Sequence, residues 1–394
     1  MVVAIRPRVL LGLASLVVTI ACGTATSAPI LTPAPASTFA ATPTAAPTLD
    51  YADVTLAASE ATIDFPDSID FILSASSALP LRKVDLEFGT DHVYSCATRE
   101  YSSVRLDFEP DTEVELSWEW ELKKTGSIPP GTVVWWRWRF EDEGGRSYLS
   151  HRQELEYEDK RFQWQSLTQD NITLHWYTGG RDFAAELAQA MAGGLASLEL
   201  GSDLVQPIQA FIYADAEDVQ GAILFAQEWT GGLAFGSQNI LLITISPERA
   251  EEEVSGLVHE LAHLLIQELT FNCFGGLPPW LNEGLATYAE GPLAPYQQSA
   301  LDRAAAEDTL ITLRSLSSSF PAGHRGASLS YAQSQSLVAY LIDTYGWAKM
   351  RELLAVFQGG STYDDALLQI YALNMDVLDH EWRASLGLLE PAAP

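Results

Sequence analysis

Two histidines and one glutamate carry the chemistry that this sequence offers. His259-Glu260-Leu261-Ala262-His263 places two imidazoles four residues apart. On a helix such residues are neighbours, with Cβ atoms about 6 Å apart, so both rings can reach one tetrahedral ion at roughly 2.0–2.1 Å. Glu260 is too short and too far to the side to join them as a ligand. It can lie over the metal's open position and take a proton from bound water. A catalytic zinc needs a third protein ligand, and Glu283 is the candidate. His259, His263 and Glu283 are therefore expected to hold Zn2+, with Glu260 as general base.

The elements that must position these groups are legible nearby. Ser246-Pro247 offers an N-cap followed by proline, and Glu248 and Glu251–Glu253 follow where negative charge suits the helix dipole. Val254, Leu257, Val258, Leu261, Leu264 and Leu265 recur at helical spacing, which predicts a helix with a buried stripe. Pro278-Pro279 breaks the chain and starts a second helix, which Gly291-Pro292 ends. Glu283 projects from that short helix, and Gly284 beside it permits close approach to another helix.

Asn282-Glu283-Gly284-Leu285-Ala286-Thr287-Tyr288, with nineteen residues separating His263 from Glu283, is similar to the third-ligand segment of the gluzincin metallopeptidases. That group includes thermolysin and the aminopeptidase N-type enzymes. Over most of residues 50–390 the chain resembles a peptidase MA-like family of bacterial surface lipoproteins. The sequence departs from thermolysin at Thr287, where that enzyme has an acidic residue behind the ligands. It lacks a Gly-x-Met-Glu-Asn segment, which argues against aminopeptidase activity. The resemblance also implies an oxyanion donor downstream. Tyr331 resembles that position, with His324 as second choice. It further implies an edge strand along the cleft, and Gly236-Ser237-Gln238-Asn239-Ile240 is the segment expected there, with Gly236 and Asn239 contacting substrate. The other reading of that segment is an ordinary inner strand and turn.

Formal net charge is −30 in 394 residues, from 52 acidic and 22 basic side chains. This excludes nucleic acid as a partner, since phosphate binding needs a basic face. Arg6 and Arg8 precede an apolar run from Val9 to Ile20 that ends at Ala21-Cys22. Residues 1–22 read as a secretory signal, too short for a spanning helix. Cys22 resembles a lipoprotein processing site and is the expected lipid attachment. Thr19 is atypical there, so plain cleavage or an uncleaved anchor stays open. Residues 23–49 are mainly Thr, Ala, Pro and Ser and read as a disordered tether, with a reach on the order of 80 Å at about 3.1 Å per residue. Cys96 and Cys273 remain. In an oxidising compartment they either pair as a disulfide or stay as buried thiols.

Residues 50–158 show a period of two. Val84, Leu86 and Phe88 alternate with Asp85 and Glu87, and Val134, Trp136, Trp138 and Phe140 alternate with Trp135, Arg137 and Arg139. Similar runs start at Ile69, Val104 and Val114. Strands separated by Pro129-Pro130-Gly131 and Glu143-Gly144-Gly145 predict an immunoglobulin-like β-sandwich. The tryptophans raise carbohydrate binding as a second reading, but alternation buries most of them. Trp135 is the exception.

Residues 159–390 predict a gluzincin domain. It comprises a hairpin over 162–176, a helix over 181–198, a strand over Ile208–Tyr213, a helix over 216–228 and a strand over Asn239–Ile245. Helices at 293–306, 331–344, 347–358, 363–372 and 375–386 then form a C-terminal lobe. The expectation is an α+β, surface-anchored, monomeric zinc endopeptidase acting on peptide or protein substrates. The alternatives are a surface binding or adhesion lipoprotein with a non-catalytic zinc domain, and an aminopeptidase.

Overall fold

The computed structural model describes residues 54–97, 101–200, 205–224, 232–321 and 324–389. The expected signal segment (1–22), the tether (23–49) and Cys22 lie outside the described residues. Among the described residues, no helix is long and apolar enough to cross a membrane.

The first half contains β1 (Val54–Asp64), β2 (Ser68–Thr90), β3 (Ser102–Leu106), β4 (Asp111–Glu121), a short α1 (Leu122–Thr125), β5 (Val133–Asp142), β6 (Ser147–Leu149) and β7 (Gln153–Glu156). β2 organises it. Residues 68–76 of β2 pair antiparallel with β1 on one side and β4 on the other. Residues 81–90 pair with β5, and 84–88 also pair with β3. The register shifts between Ser76 and Leu81. Pro80 sits in that interval, where its missing N–H breaks the ladder. The two layers that share β2 face each other. The Phe71 ring lies 5.8 Å from those of Phe88 and Trp136, and Trp138 Nε1 donates to Ser59 Oγ at 2.9 Å.

Alternation accounts for most of this core but not for two residues. Glu87 was expected outside, yet it is 2% exposed, beneath Arg137 and Arg139 at 2.7 and 2.9 Å. Trp135 is also buried, under the Arg152 guanidinium 4.8 Å from its ring. In both cases, arginine side chains lie flat over the outer face and cover what the strand presents there.

The second half begins with the antiparallel hairpin β8 (Gln165–Gln169) and β9 (Ile172–Trp176), then α2 (Arg181–Ser197), β10 (Ile208–Tyr213) and α3 (Ala216–Gln220). β11 (Gly232–Phe235) and β12 (Ile240–Thr244) follow, completing a sheet in the order β11-β12-β10-β9-β8. The helices are α4 (Ala250–Thr270), α5 (Pro279–Glu290), α6 (Pro295–Ala306), α7 (Leu313–Leu316), α8 (His324–Gln358), α9 (Tyr363–Tyr371) and α10 (Met375–Ser385). α8 joins two expected helices across Gly346, whose φ of 80° interrupts the helical backbone. Ser246 makes no side-chain cap; a 3-10 turn at Pro247–Arg249 leads into α4 instead.

α4 is buried on two sides. Leu257, Leu261 and Leu264 pack with Leu241 and Ile243 of the sheet. Val258, Ala262, Leu265 and Ile266 join the helical lobe, with Trp280, Leu285 and Val338. What remains of its circumference carries His259, Glu260 and His263.

Residues Leu49–Pro394 cluster as one compact unit. At the junction of its halves, the Asp159 carboxylate accepts from Arg161 Nε and Nη2 at 2.9 and 2.7 Å and from the Tyr213 hydroxyl at 2.9 Å, and the Arg161 guanidinium lies 5.3 Å from the ring of Phe65 in the first half. Cys96 forms a disulfide with Cys273, Cα to Cα 5.5 Å.

Gly284 sets how closely α5 approaches α8. A Cβ there would lie 2.5 Å from the Ser334 carbonyl oxygen and 2.7 Å from Val338 Cγ2. Backbone cannot step aside as a side-chain tip can, so Gly284→Ala is expected to lower the unfolding free energy by about 1–3 kcal/mol. Urea unfolding measures this. A change under about 0.5 kcal/mol would show that α5 and α8 separate freely.

Candidate active site

The packing of α5 against α4 brings three donor atoms together. His259 Nε2 and His263 Nε2 lie 3.1 Å apart, and Glu283 Oε2 lies 3.3 and 3.4 Å from them. Ligands at 2.0–2.1 Å from a tetrahedral ion stand about 3.3 Å from one another. The three atoms thus outline one face of such a shell, and together they form a cluster able to hold a metal ion.

The electrostatics favour a cation. Burial alone would pull the His259 imidazole down, but hydrogen bonds to Glu283 and Glu290 push it up to about 10. Burial would raise Glu283, yet its contacts with both histidines pull it down to about 2. Burial raises Glu260, and the two imidazoles only partly offset this. Three carboxylates thus surround two imidazoles in a part-buried space. An ion with two positive charges would satisfy both the geometry and that excess.

Glu290 was not foreseen. His259 Nδ1 meets its Oε1 at 2.7 Å, a carboxylate behind the imidazole that fixes the ring's orientation and tautomer. In thermolysin an acidic residue stands at the position of Thr287. Thr287 is instead 2% exposed, and its hydroxyl has no hydrogen-bond partner. The missed signal was spacing: Glu290 lies seven residues after Glu283, two turns on and on the same helical face. His263 Nδ1 is buried with no hydrogen-bond partner.

Tyr331, near the start of α8, lines the same cavity. Its ring lies 5.9 Å from that of His259, nearly edge-on. Burial, with Glu283, Glu260 and Glu290 nearby, pushes its hydroxyl up to about 12, so it stays a protonated donor at neutral pH. The side chain of His324 lies outside the described residues.

The cavity measures about 850 Å³. β11 forms one wall. It pairs only with β12 among the described residues, and a Cβ on Gly232 would come within 3.0 Å of Glu260 Cγ. The free edge therefore belongs to Gly232–Phe235, while β12 is an inner strand. Gly236 lines the cavity but Asn239 does not. Asn239 is the turn residue at φ 55°, 1% exposed. The disulfide partners Cys96 and Cys273 also line the cavity.

The chain belongs to the peptidase MA superfamily, which it matches over residues 188–387. That span contains His259, Glu260, His263, Glu283, Glu290 and Tyr331. No curated protein matches the chain. Among solved structures, wild-type OgpA from Akkermansia muciniphila is 10% identical, with 27% of this chain and 29% of that chain covered and a TM-score of 0.23. A catalytically inactive OgpA in complex with an O-glycopeptide is 12% identical over 27% and 29%, with a TM-score of 0.22. A polysaccharide deacetylase from Bacillus cereus is 8% identical over 43% and 53%, with a TM-score of 0.20. The chain thus spans under a third of OgpA, and scores this low do not amount to a shared overall fold.

Glu290→Gln should weaken metal binding by about 10–100-fold while leaving the fold intact. Competition against a chromophoric chelator reads the affinity. An unchanged affinity would show that His259 needs no carboxylate on Nδ1.

Proposed function

We propose that this protein is an extracytoplasmic zinc-dependent endopeptidase. The observation that carries the reading is the set of three donor atoms at 3.1–3.4 Å with Glu260 beside them under a free strand edge. Membership of the peptidase MA superfamily supports proteolysis as the reaction class.

His259, His263 and Glu283 would hold the ion. When bound, zinc supplies Lewis acidity, polarising a carbonyl and lowering the pKa of a water toward about 7. Glu260 takes the proton of the attacking water and passes it to the leaving amine. Its carboxyl, raised by burial, suits a group that must both accept and return a proton. The Tyr331 phenol donates a hydrogen bond to the oxygen that becomes negative. The free edge of β11 offers backbone N–H and C=O groups to an extended peptide. Pairing along a strand holds a segment on both sides of the cleaved bond, which favours internal cuts.

The wider organisation belongs to the same proposal. Residues 50–158 act as an immunoglobulin-like sandwich; the support is pairing of β2 with β1 and β4 at one end and with β3 and β5 at the other. Residues 159–390 form the gluzincin module. The basic and apolar start of the chain and Cys22 support export and a lipid anchor on a monomer.

Zinc-loaded full-length protein incubated with a mixed peptide library should give internal cleavage products by mass spectrometry, abolished by a chelator. Glu260→Gln should retain stoichiometric zinc and lose turnover by at least about 10²-fold. Single-residue trimming from the N-terminus would replace the endopeptidase with an aminopeptidase. Absence of metal-dependent products, or full turnover by Glu260→Gln, would overturn the reading.

A further inference from the structure

The loop between α4 and α5 is held far more tightly than its exposure requires. The Asn272 side-chain oxygen accepts from the Phe274 and Gly275 N–H groups at 2.7 and 3.0 Å. Its amide donates to the Thr270 and Phe357 carbonyls at 3.2 and 2.9 Å. Cys273, next in the chain, is bonded to Cys96. The loop is thus fastened to the end of α4, to the end of α8 and to the β-rich half. Between these anchors the Phe274 side chain is 86% exposed, more than any other large apolar residue described.

Phe274, Gly275 and Gly276 line two cavities at once. One is the 850 Å³ cavity that holds the donor cluster. The other, about 320 Å³, adds Phe357, Gly360 and Tyr363, and no charged residue lines it among the described residues. Among the described residues, the charged or imidazole side chains that line the larger cavity are His259, Glu260, His263 and Glu283. Away from the centre, then, the surface suits uncharged groups. Gly360 lets the ring lie close: a Cβ there would come 2.7 Å from Phe274 Cδ2.

We propose that Phe274, presented on this clamped loop, is a specificity-determining residue: it forms the wall of a subsite that receives a bulky apolar side chain of the peptide substrate. The inference rests on the peptidase reading above and extends it to a substrate class. An aromatic ring in water gains by covering its face. A loop already fixed by a disulfide and four hydrogen bonds loses little further freedom when it does so, and this preorganisation sharpens discrimination. Because Phe274 is exposed, its replacement leaves the fold and the metal cluster in place.

The test uses full-length zinc-loaded protein and paired probes that differ only in a Phe or an Ala near the reacting group. Quenched peptides read turnover, and hydroxamates read binding by calorimetry. The wild type should prefer the Phe member of each pair. Phe274→Ala should reduce that preference by about tenfold or more, Phe274→Leu should largely restore it, and zinc content should not change. Turnover with an undiminished preference in Phe274→Ala overturns the subsite and leaves the peptidase reading standing. Absence of turnover in the wild type, with a hydroxamate preference that Phe274→Ala removes, overturns the peptidase reading and keeps the subsite. Neither turnover nor preferential binding overturns both.

Discussion

Everything at the centre depends on α4 and α5 being pressed together with like charges between them. Glu260, Glu283 and Glu290 converge on two imidazoles, and a part-buried carboxylate is costly unless paired. The apolar packing imposes this arrangement. α4 gives one stripe to the sheet and a second to the helical lobe, so its third stripe has nowhere to turn but the cavity. α5 is anchored by Trp280, Leu281 and Leu285, all nearly inaccessible, and by the close approach at Gly284. The fold thereby holds in place a cluster that would otherwise spread apart. A divalent cation bound there would turn that repulsion into attraction, and ion and helix packing would then stabilise each other.

The β-rich half contributes to the cleft directly. Val93 N–H donates to the Ser237 carbonyl at 2.7 Å, next to the turn that joins β11 and β12. The Tyr94 ring packs tilted against that of Phe271, with centroids 5.0 Å apart, and its hydroxyl is pushed up to about 12 by burial and by Glu268 of α4. Cys96 completes the contact. These three residues touch both the edge-strand turn and the end of the histidine helix. Displacement of this segment would therefore move two walls of the cleft at once.

Much of this was legible in the sequence because it follows from period and spacing. The histidine pair, Glu283 and the proline breaks before α5 are local signals, and the strand β10 (Ile208–Tyr213) matches its expected span. What was not legible depends on packing. β2 runs through Pro80 as one strand serving two layers, although a proline inside a run ordinarily argues for a break. β11 is only Gly-Leu-Ala-Phe, too short for alternation to show, so the expected edge segment, 236–240, falls a few residues after it. Glu87 and Trp135 are covered by arginines from neighbouring positions, which no single-strand pattern reveals. Phe274 could be read only once its exposure and its anchors were both known.

The position of Glu290 follows from helix geometry. In the thermolysin-like pattern an acidic residue stands at the position that Thr287 fills here, four after the glutamate ligand. Residues four and seven after Glu283 project from nearly the same face, but the second lies three residues, or about 4.5 Å, farther along the axis. Here the carboxylate stands at the second of these positions, on Glu290. It meets His259 through Nδ1, while Nδ1 of His263 has no hydrogen-bond partner. Support of the donor cluster is therefore one-sided: a charged partner meets Nδ1 of one imidazole, and Nδ1 of the other has none.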